Sequence, residues 1–484
     1  MEPMDGLRQK TMNRRSLLSG AMAVAAAGMS RLAFAGEPDK QPVAITLDRS
    51  RIVGTIRPDF MGLGYEISSV AANGPLCSGS PVYERLVRNL GRDGVIRVGG
   101  NTSDYAAYSP SGASVSKAKG SVIDEANLRA LGGFLDNTGW KLIWGLNLGS
   151  GSEDNATAEA QAVAKFAGSR LIAFEIGNEP DLFVHEGHRQ AGYGYEQYLA
   201  DYRRYKAAIR RALPDAPFAG PDAAVNMEWV TRFAADEGRD LKLLTCHYYR
   251  EGQNPTSTLA KLLHPDPRLL TRLTKAREAG EAAHLPYRIC ETNSFSGGGR
   301  PGVSDTFGAA LWVMDFMFTV ASAQAGGVNI ETGINQLDFI SSYSPLRGDA
   351  SAGYSVGPDY YGMLAFAQAA PGKLTAVDCD AGGLQLTAYA VVGDDGALRL
   401  SIINKEPAQD AQVSVRAGGP VAHTRALWLR APALESKDQV TLGGASLSAD
   451  GMWNPKPAEG LRVRAGKCEL QVPAASAVVL TFAE

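Results

Sequence analysis

From position 61 to about 332 the chain repeats one pattern: a short run of apolar residues ending in polar ones, then a longer stretch with apolar positions three and four apart. The short runs at 61–67, 95–100, 141–148, 172–178, 217–221, 242–249, 287–292 and 327–332 read as buried strands. Helical periodicity is expected at 82–90, 158–167, 195–213, 226–235, 269–279 and 306–325, with a last helix at 360–370. Eight strands alternating with helices predict an α/β fold, a (β/α)8 TIM barrel over 58–370.

The texture changes on either side. Residues 43–57 alternate around Val43, Ile45, Leu47, Ile52 and Ile56, and residues 371–484 alternate in short runs broken by Gly, Asp and Pro. The C-terminal segment predicts an antiparallel β-sandwich domain, with the 43–57 strand joining it. Ahead of both, residues 1–35 read as a signal peptide. Arg14-Arg15 precede the apolar, small-residue run 17–28, Ala33-Phe34-Ala35 offers a cleavage site, and the paired arginines suit twin-arginine export. The protein is expected to be secreted or periplasmic, with no membrane association once the leader is removed, and monomeric.

Composition adds little and excludes something. With 484 residues and a formal net charge of -3, the chain has no global basic field, so no nucleic-acid partner is expected. The arginines of 195–213 read as the solvated outer face of a barrel helix. Five scattered cysteines without CxxC spacing read as mostly buried free thiols, and Cys290 should point away from the face of its neighbour Glu291. His185 and His188 lack the helical spacing of metal ligands, so neither a metal nor a cofactor is expected.

The chemistry concentrates at strand ends. Leu171 to Pro180 is an apolar strand ending in Gly177-Asn178-Glu179, stopped by a proline that has no N–H to give a sheet. Tyr287 to Asn293 has the same form, with Glu291 at its polar end, 112 positions later. Two carboxylates at the C-terminal rim of one barrel are what cleavage of a glycosidic acetal needs: one protonates the leaving oxygen, the other faces the anomeric carbon. They stand about 5 to 5.5 Å apart if configuration is retained. Each glutamate taken alone also fits a structural ion pair.

Ile176-Gly-Asn-Glu-Pro180, Glu291-Thr-Asn-Ser294 followed by Gly297-Gly-Gly299, Arg97-Val-Gly-Gly100 and His247-Tyr-Tyr249 together resemble glycoside hydrolase family 79, which contains heparanases and bacterial β-glucuronidases. The resemblance spans about 43–484. It implies Glu179 as acid/base, Glu291 as nucleophile, and Asn178 as the residue that binds the sugar 2-hydroxyl. His247 and Tyr249 share a strand face at the site, where Tyr249 could hold Glu291 through its hydroxyl. Glu66 and Asn101, at the ends of the first two strands, would bind sugar hydroxyls; a structural role fits either as well. Gly297 and Gly298 would present backbone N–H groups to the uronate carboxylate beside Tyr343, although Ser296 stands where the family commonly has a tyrosine. The implied activity is retaining cleavage of β-D-glucuronosidic bonds in a glucuronic-acid-containing polysaccharide or oligosaccharide, by heparanase-like internal cleavage of heparan sulfate. The alternatives are release of terminal glucuronic acid, or action on a neutral sugar.

Overall fold

The computed structural model describes residues 42–71, 74–113, 120–334, 340–419, 423–456, 461, 463–464 and 466–483. The expected signal peptide lies outside the described residues. Eight parallel strands close into a barrel: Met61–Glu66, Val95–Gly99, Lys141–Leu146, Leu171–Ile176, Phe218–Ala223, Leu241–Tyr249, Tyr287–Asn293 and Gly327–Glu331, here numbered first to eighth. Closure is direct, since Val328–Glu331 of the eighth strand pairs in register with Met61–Gly64 of the first. These strands are buried almost throughout, which is why they read as continuous apolar runs.

The fifth strand runs past the expected end at Pro221 to Ala223, and so carries Asp222 into the barrel mouth. Helix Glu125–Thr138 was not among the helices expected from periodicity. Its Gly132-Gly133 pair lowers helix propensity, but a Cβ at Gly132 would lie 2.6 Å from the carbonyl oxygen of Phe166. Close packing against helix Glu153–Ala167 therefore excludes a side chain there. Asp124 caps this helix through a reciprocal capping box with Asn127.

The second layer is a curled ten-stranded sheet. Strand Val43–Ile56 pairs antiparallel with Gly372–Asp380 and parallel with Ala411–Arg416, so both chain ends build it; the other pairings are antiparallel. Its inner face buries Val43, Ile45, Leu47, Leu400, Val413 and Leu470 in a core of its own. Helices Phe307–Ser322 and Pro358–Ala369 lie between the sheet and the barrel and are apolar all round, as a helix covered on every side must be. No helix among the described residues is long and apolar enough to cross a membrane. All five cysteines are free.

The expected basic face of helix Tyr195–Ala212 is an ion-pair lattice. Arg203 and Lys206 reach Glu237, Arg210 reaches Asp240, and Arg204 reaches Glu153 and Asp201. Sheet and barrel are joined by Asp315, which accepts from Thr387 (2.7 Å) and Tyr389 (2.8 Å) and pairs with the buried Lys405 at 2.5 Å. Replacing Asp315 by Ala strands that ammonium, and should cost about 3–5 kcal/mol of stability in thermal or denaturant unfolding. A loss within about 0.5 kcal/mol would mean that the ion pair does not fasten the two layers.

Candidate functional site

All the expected site residues except Asn178 line one cleft at the C-terminal rim of the barrel, about 1050 Å3 in volume. One carboxylate oxygen of Glu179, one of Glu291 and a ring nitrogen of His247 lie within 4.8 Å of one another. Glu179 follows the end of the fourth strand with a left-handed backbone (φ 51°, ψ 48°), unusual for a residue with a side chain. Its N–H donates to the carbonyl of Asp222 at 3.1 Å, which fixes the turn to the next strand. Left-handed strain of this kind persists only where neighbouring contacts over-determine it.

Glu291 is gripped on both oxygens. The Tyr249 hydroxyl donates to Oε1 at 3.0 Å, and Nη1 of Arg97 donates to Oε2 at 2.8 Å. Arg97 rises from the second strand inside the barrel and is completely buried. Its remaining donors reach Glu175 (3.1 Å), Asn178 (2.8 Å) and Asp222. Burial opposes the charge on Arg97, but Asp222, Glu175 and Glu291 outweigh it and keep the guanidinium protonated.

His247 sits between the two halves. Its Nδ1 is 2.8 Å from Glu179 and 3.8 Å from Glu291, and its Nε2 is 2.7 Å from Asp222. Burial disfavours the imidazolium, yet Asp222 and Glu291 raise its pKa well above the ordinary value for histidine. Burial pushes Glu179 upward too, only partly offset by His247 and reinforced by Glu291. Glu179 therefore holds a proton more readily than an exposed glutamate, while Tyr249 and Arg97 both donate to Glu291.

The other expected contacts separate into two groups. Glu66, Asn101, Gly297, Gly298 and Tyr343 face the cleft. Glu66 accepts from the N–H (2.7 Å) and hydroxyl (2.6 Å) of Thr102, and burial together with Glu291 pushes it up to about 7. Gly297 and Gly298 have φ of 75° and 85°, a backbone region that side chains rarely tolerate. Tyr343 stacks on Tyr249 with centroids 6.2 Å apart.

Asn178 and His247 differ from expectation. Asn178 is buried, its Oδ1 taking a proton from Arg97 and its Nδ2 donating to Asn101 at 2.9 Å. Its partner Asn101 lines the cleft. His247 lines the cleft, but both its ring nitrogens already serve carboxylates.

Four groups were not foreseen. Asp222 binds both His247 and Arg97. Glu175 lies under Arg97, and burial and Asp222 push it up to about 7. Glu331, ending the eighth strand, is raised well above the carboxylate range by burial and by Glu291 and Glu66. Asp104 accepts from the N–H groups of Leu148, Gly149 and Asn178 at 3.0, 2.8 and 2.9 Å, and so ties three rim loops together. The available signal was a charge inside an apolar strand: Arg97 in Val95–Gly99 and Glu175 in Leu171–Ile176.

Two clusters have the donors a metal would use, Glu179–His247–Glu291 and Glu175–Asp222–Cys290. In the second, Arg97 already bridges Glu175 and Asp222 with its own positive charge. In the first, His247 occupies the gap. His185 and His188 belong to neither cluster; the ring of His188 packs between Tyr105 and Phe183.

Arg97→Gln should therefore destabilise the fold by about 3–5 kcal/mol at neutral pH, since it leaves buried carboxylates uncompensated. The pH dependence has a definite sign. Asp222 is held below its ordinary range: burial works against this, but Arg97 and His247 prevail. In the parent protein that stabilisation is present above the unfolded pKa, 3.8, and is lost as pH falls toward the folded one. The variant lacks it, so the gap between the two in chemical denaturation should hold above pH 3.8 and narrow as the pH falls below that value. A gap that widens would contradict this.

Residues 388–479 match the family model described as Glycosyl hydrolase family 79 C-terminal beta domain. The chain is 30% identical over 388 residues to a β-glucuronidase of Neurospora crassa, covering 66% of this chain and 67% of that one. It is 26% identical over 384 residues to a β-glucuronidase of Aspergillus niger, covering 72% and 69%. In structure it resembles a 4-O-α-L-rhamnosyl-β-D-glucuronidase from Fusarium oxysporum, with TM-score 0.74, 19% identity, and 90% of this chain and 100% of that one covered. It also resembles a GH51 arabinofuranosidase from Xanthomonas axonopodis pv. citri, with TM-score 0.65, 16% identity, and 91% and 100% covered.

Proposed function

The chain belongs to glycoside hydrolase family 79, and from that premise we propose that this enzyme hydrolyses β-D-glucuronosidic bonds with retention of configuration. The observation that carries the proposal is the gap between the carboxylates of Glu179 and Glu291, whose oxygens come within 4.8 Å. That spacing suits a nucleophile and an acid/base on either face of one sugar, about 5 to 5.5 Å apart. The same closeness favours this reading over an inverting pair, whose carboxyl groups stand about 6.5 to 9.5 Å apart to admit a water.

In this reading Glu291 attacks C1 while Glu179 gives its proton to the departing oxygen. Glu179, now an anion, then takes a proton from water as that water displaces the sugar from Glu291. The division of labour follows from environment. Burial keeps Glu179 protonated until the leaving oxygen needs the proton. Tyr249 and Arg97 hold the other carboxylate ionised and aimed.

The glucuronyl specificity is supported by the β-glucuronidases to which the chain is similar and by a cleft wall able to take a second anion. The backbone of Gly297 and Gly298 and the Tyr343 ring line the same cleft as Glu179, as does Ser296, which stands where the family commonly has a tyrosine. Asn101 and Glu66, which line the cleft, bind sugar hydroxyls in this reading, and Asn178, hydrogen-bonded to Asn101, is the expected partner of the 2-hydroxyl. We extend the proposal to a saccharide leaving group, since the cleft is several times larger than one sugar ring and runs past the fifth and sixth strands to helix Pro267–Ala283. Internal cleavage of heparan sulfate by an exported enzyme is the form this takes.

Glu291→Gln should abolish turnover of 4-nitrophenyl β-D-glucuronide with unfolding unchanged, and proton NMR should show the β-anomer released first by the parent enzyme. Glu179→Gln should slow glucuronides with poor leaving groups about 10²–10⁴-fold. First release of the α-anomer would overturn the mechanism, and hydrolysis of arabinofuranosides or xylosides in place of glucuronides would overturn the substrate class. Sizing the products from heparan sulfate decides the last point: a ladder of oligosaccharides is expected, and free glucuronate alone would show trimming from the end.

A further inference from the structure

We propose that Asp222 is a positioning residue for both catalytic carboxyls at once, acting through His247 on Glu179 and through Arg97 on Glu291. The inference rests on the reading of those two glutamates as acid/base and nucleophile.

Asp222 is buried at the end of the fifth strand and held on every side. Its Oδ1 meets Nε2 of His247 at 2.7 Å and its Oδ2 accepts a hydrogen bond from Nη2 of Arg97. Its N–H donates to the Thr245 hydroxyl at 3.1 Å, and its carbonyl accepts from the N–H of Glu179, also at 3.1 Å. Its φ of 60° places it, like Glu179, in the left-handed region. Two strained residues on neighbouring strands, bonded to each other, are spent on the aim of one carboxylate. Glu175 offers no substitute, since it touches Arg97 but makes no hydrogen bond to His247.

The reaction explains why a permanent anion is needed there. At rest the negative charge sits on Glu291 and Glu179 is neutral. In the glycosyl-enzyme Glu291 is an ester and the charge has moved to Glu179. His247 lies between them, 2.8 Å from one and 3.8 Å from the other, so the imidazolium faces an anion in each state, but never the same one. Asp222 is the counter-ion that does not change. It keeps the proton on His247 while the charge crosses from one side of the ring to the other, and the same carboxylate holds Arg97 against Glu291.

The charged and titratable groups around His247 are Glu175 and Glu179 on the fourth strand side, Asp222 on the fifth, Cys290 and Glu291 on the seventh, Arg97 on the second and Glu331 on the eighth. Without the charge of Asp222 the imidazole gives up its proton more readily. Since imidazolium lowers the pKa of Glu179, losing it raises that pKa. The alkaline limb of kcat/KM should thus move to higher pH in Asp222→Asn, by on the order of one unit.

The test is a double-mutant cycle on the pH profile of kcat/KM with 4-nitrophenyl β-D-glucuronide, comparing the parent enzyme, Asp222→Asn, His247→Gln and the double variant. The shift should appear in Asp222→Asn and vanish in the His247→Gln background. An unmoved limb in Asp222→Asn, or the same shift without His247, would overturn the proposal. A second measurement needs neither substrate nor variant: ¹⁵N NMR of labelled histidine in the parent protein should show the His247 ring still doubly protonated at a pH where an exposed histidine is neutral. A ring that is neutral there overturns the proposal, even if glucuronides turn over. Failure of every glucuronide to turn over in the parent enzyme, with the ring still doubly protonated, would count against the substrate assignment alone.

Discussion

Six carboxyl groups, Glu66, Glu175, Glu179, Asp222, Glu291 and Glu331, crowd the mouth of the barrel around Arg97 and His247. Two cations cannot neutralise six anions, and an uncompensated buried charge costs several kcal/mol. The site resolves the conflict by holding protons. Burial raises Glu66, Glu175, Glu179 and Glu331, while Asp222 stays ionised because both cations touch it. In the proposed mechanism the protonated acid is thus a consequence of charge crowding inside the barrel, and Asp222 keeps its charge because Arg97 and His247 both touch it.

The barrel makes this crowding affordable. Strands buried on both faces hold their end residues rigidly, and the rim loops are fastened by bonds that take no part in chemistry, those of Asp104 to three backbone N–H groups. The second sheet, keyed to helix Phe307–Ser322 by Asp315, covers a flank of the barrel away from the cleft residues.

What could be read from the sequence follows from range of interaction. Strands showed as apolar runs because burial on both faces is a local property of composition, and Glu179 and Glu291 showed because each ends such a run. Helix Glu125–Thr138 did not, since the value of Gly132 lies in a contact with a helix some thirty positions away. Asp222 fell just past the strand expected at 217–221. Its partners come from the second and sixth strands, and only barrel closure brings them together. The bonds of Asn178 to Arg97 and Asn101 were not legible, because those partners come from the second strand and its rim loop. The joining of the N-terminal strand to the C-terminal sheet was legible, but its parallel pairing with Ala411–Arg416 was not, since nothing local sets the direction of a strand from the far end of the chain.

The central claim is that Glu291 bonds to the sugar. Brief reaction of the parent enzyme with 2-deoxy-2-fluoro-β-D-glucuronyl fluoride, followed by proteolysis and mass spectrometry, tests it most directly, because the fluorine slows breakdown of the intermediate. The account predicts one fluoroglucuronyl group, carried on Glu291 in the peptide containing Tyr287–Asn293. A label on Glu179, Glu66 or Glu331, or rapid turnover with no covalent adduct at any time, would contradict it.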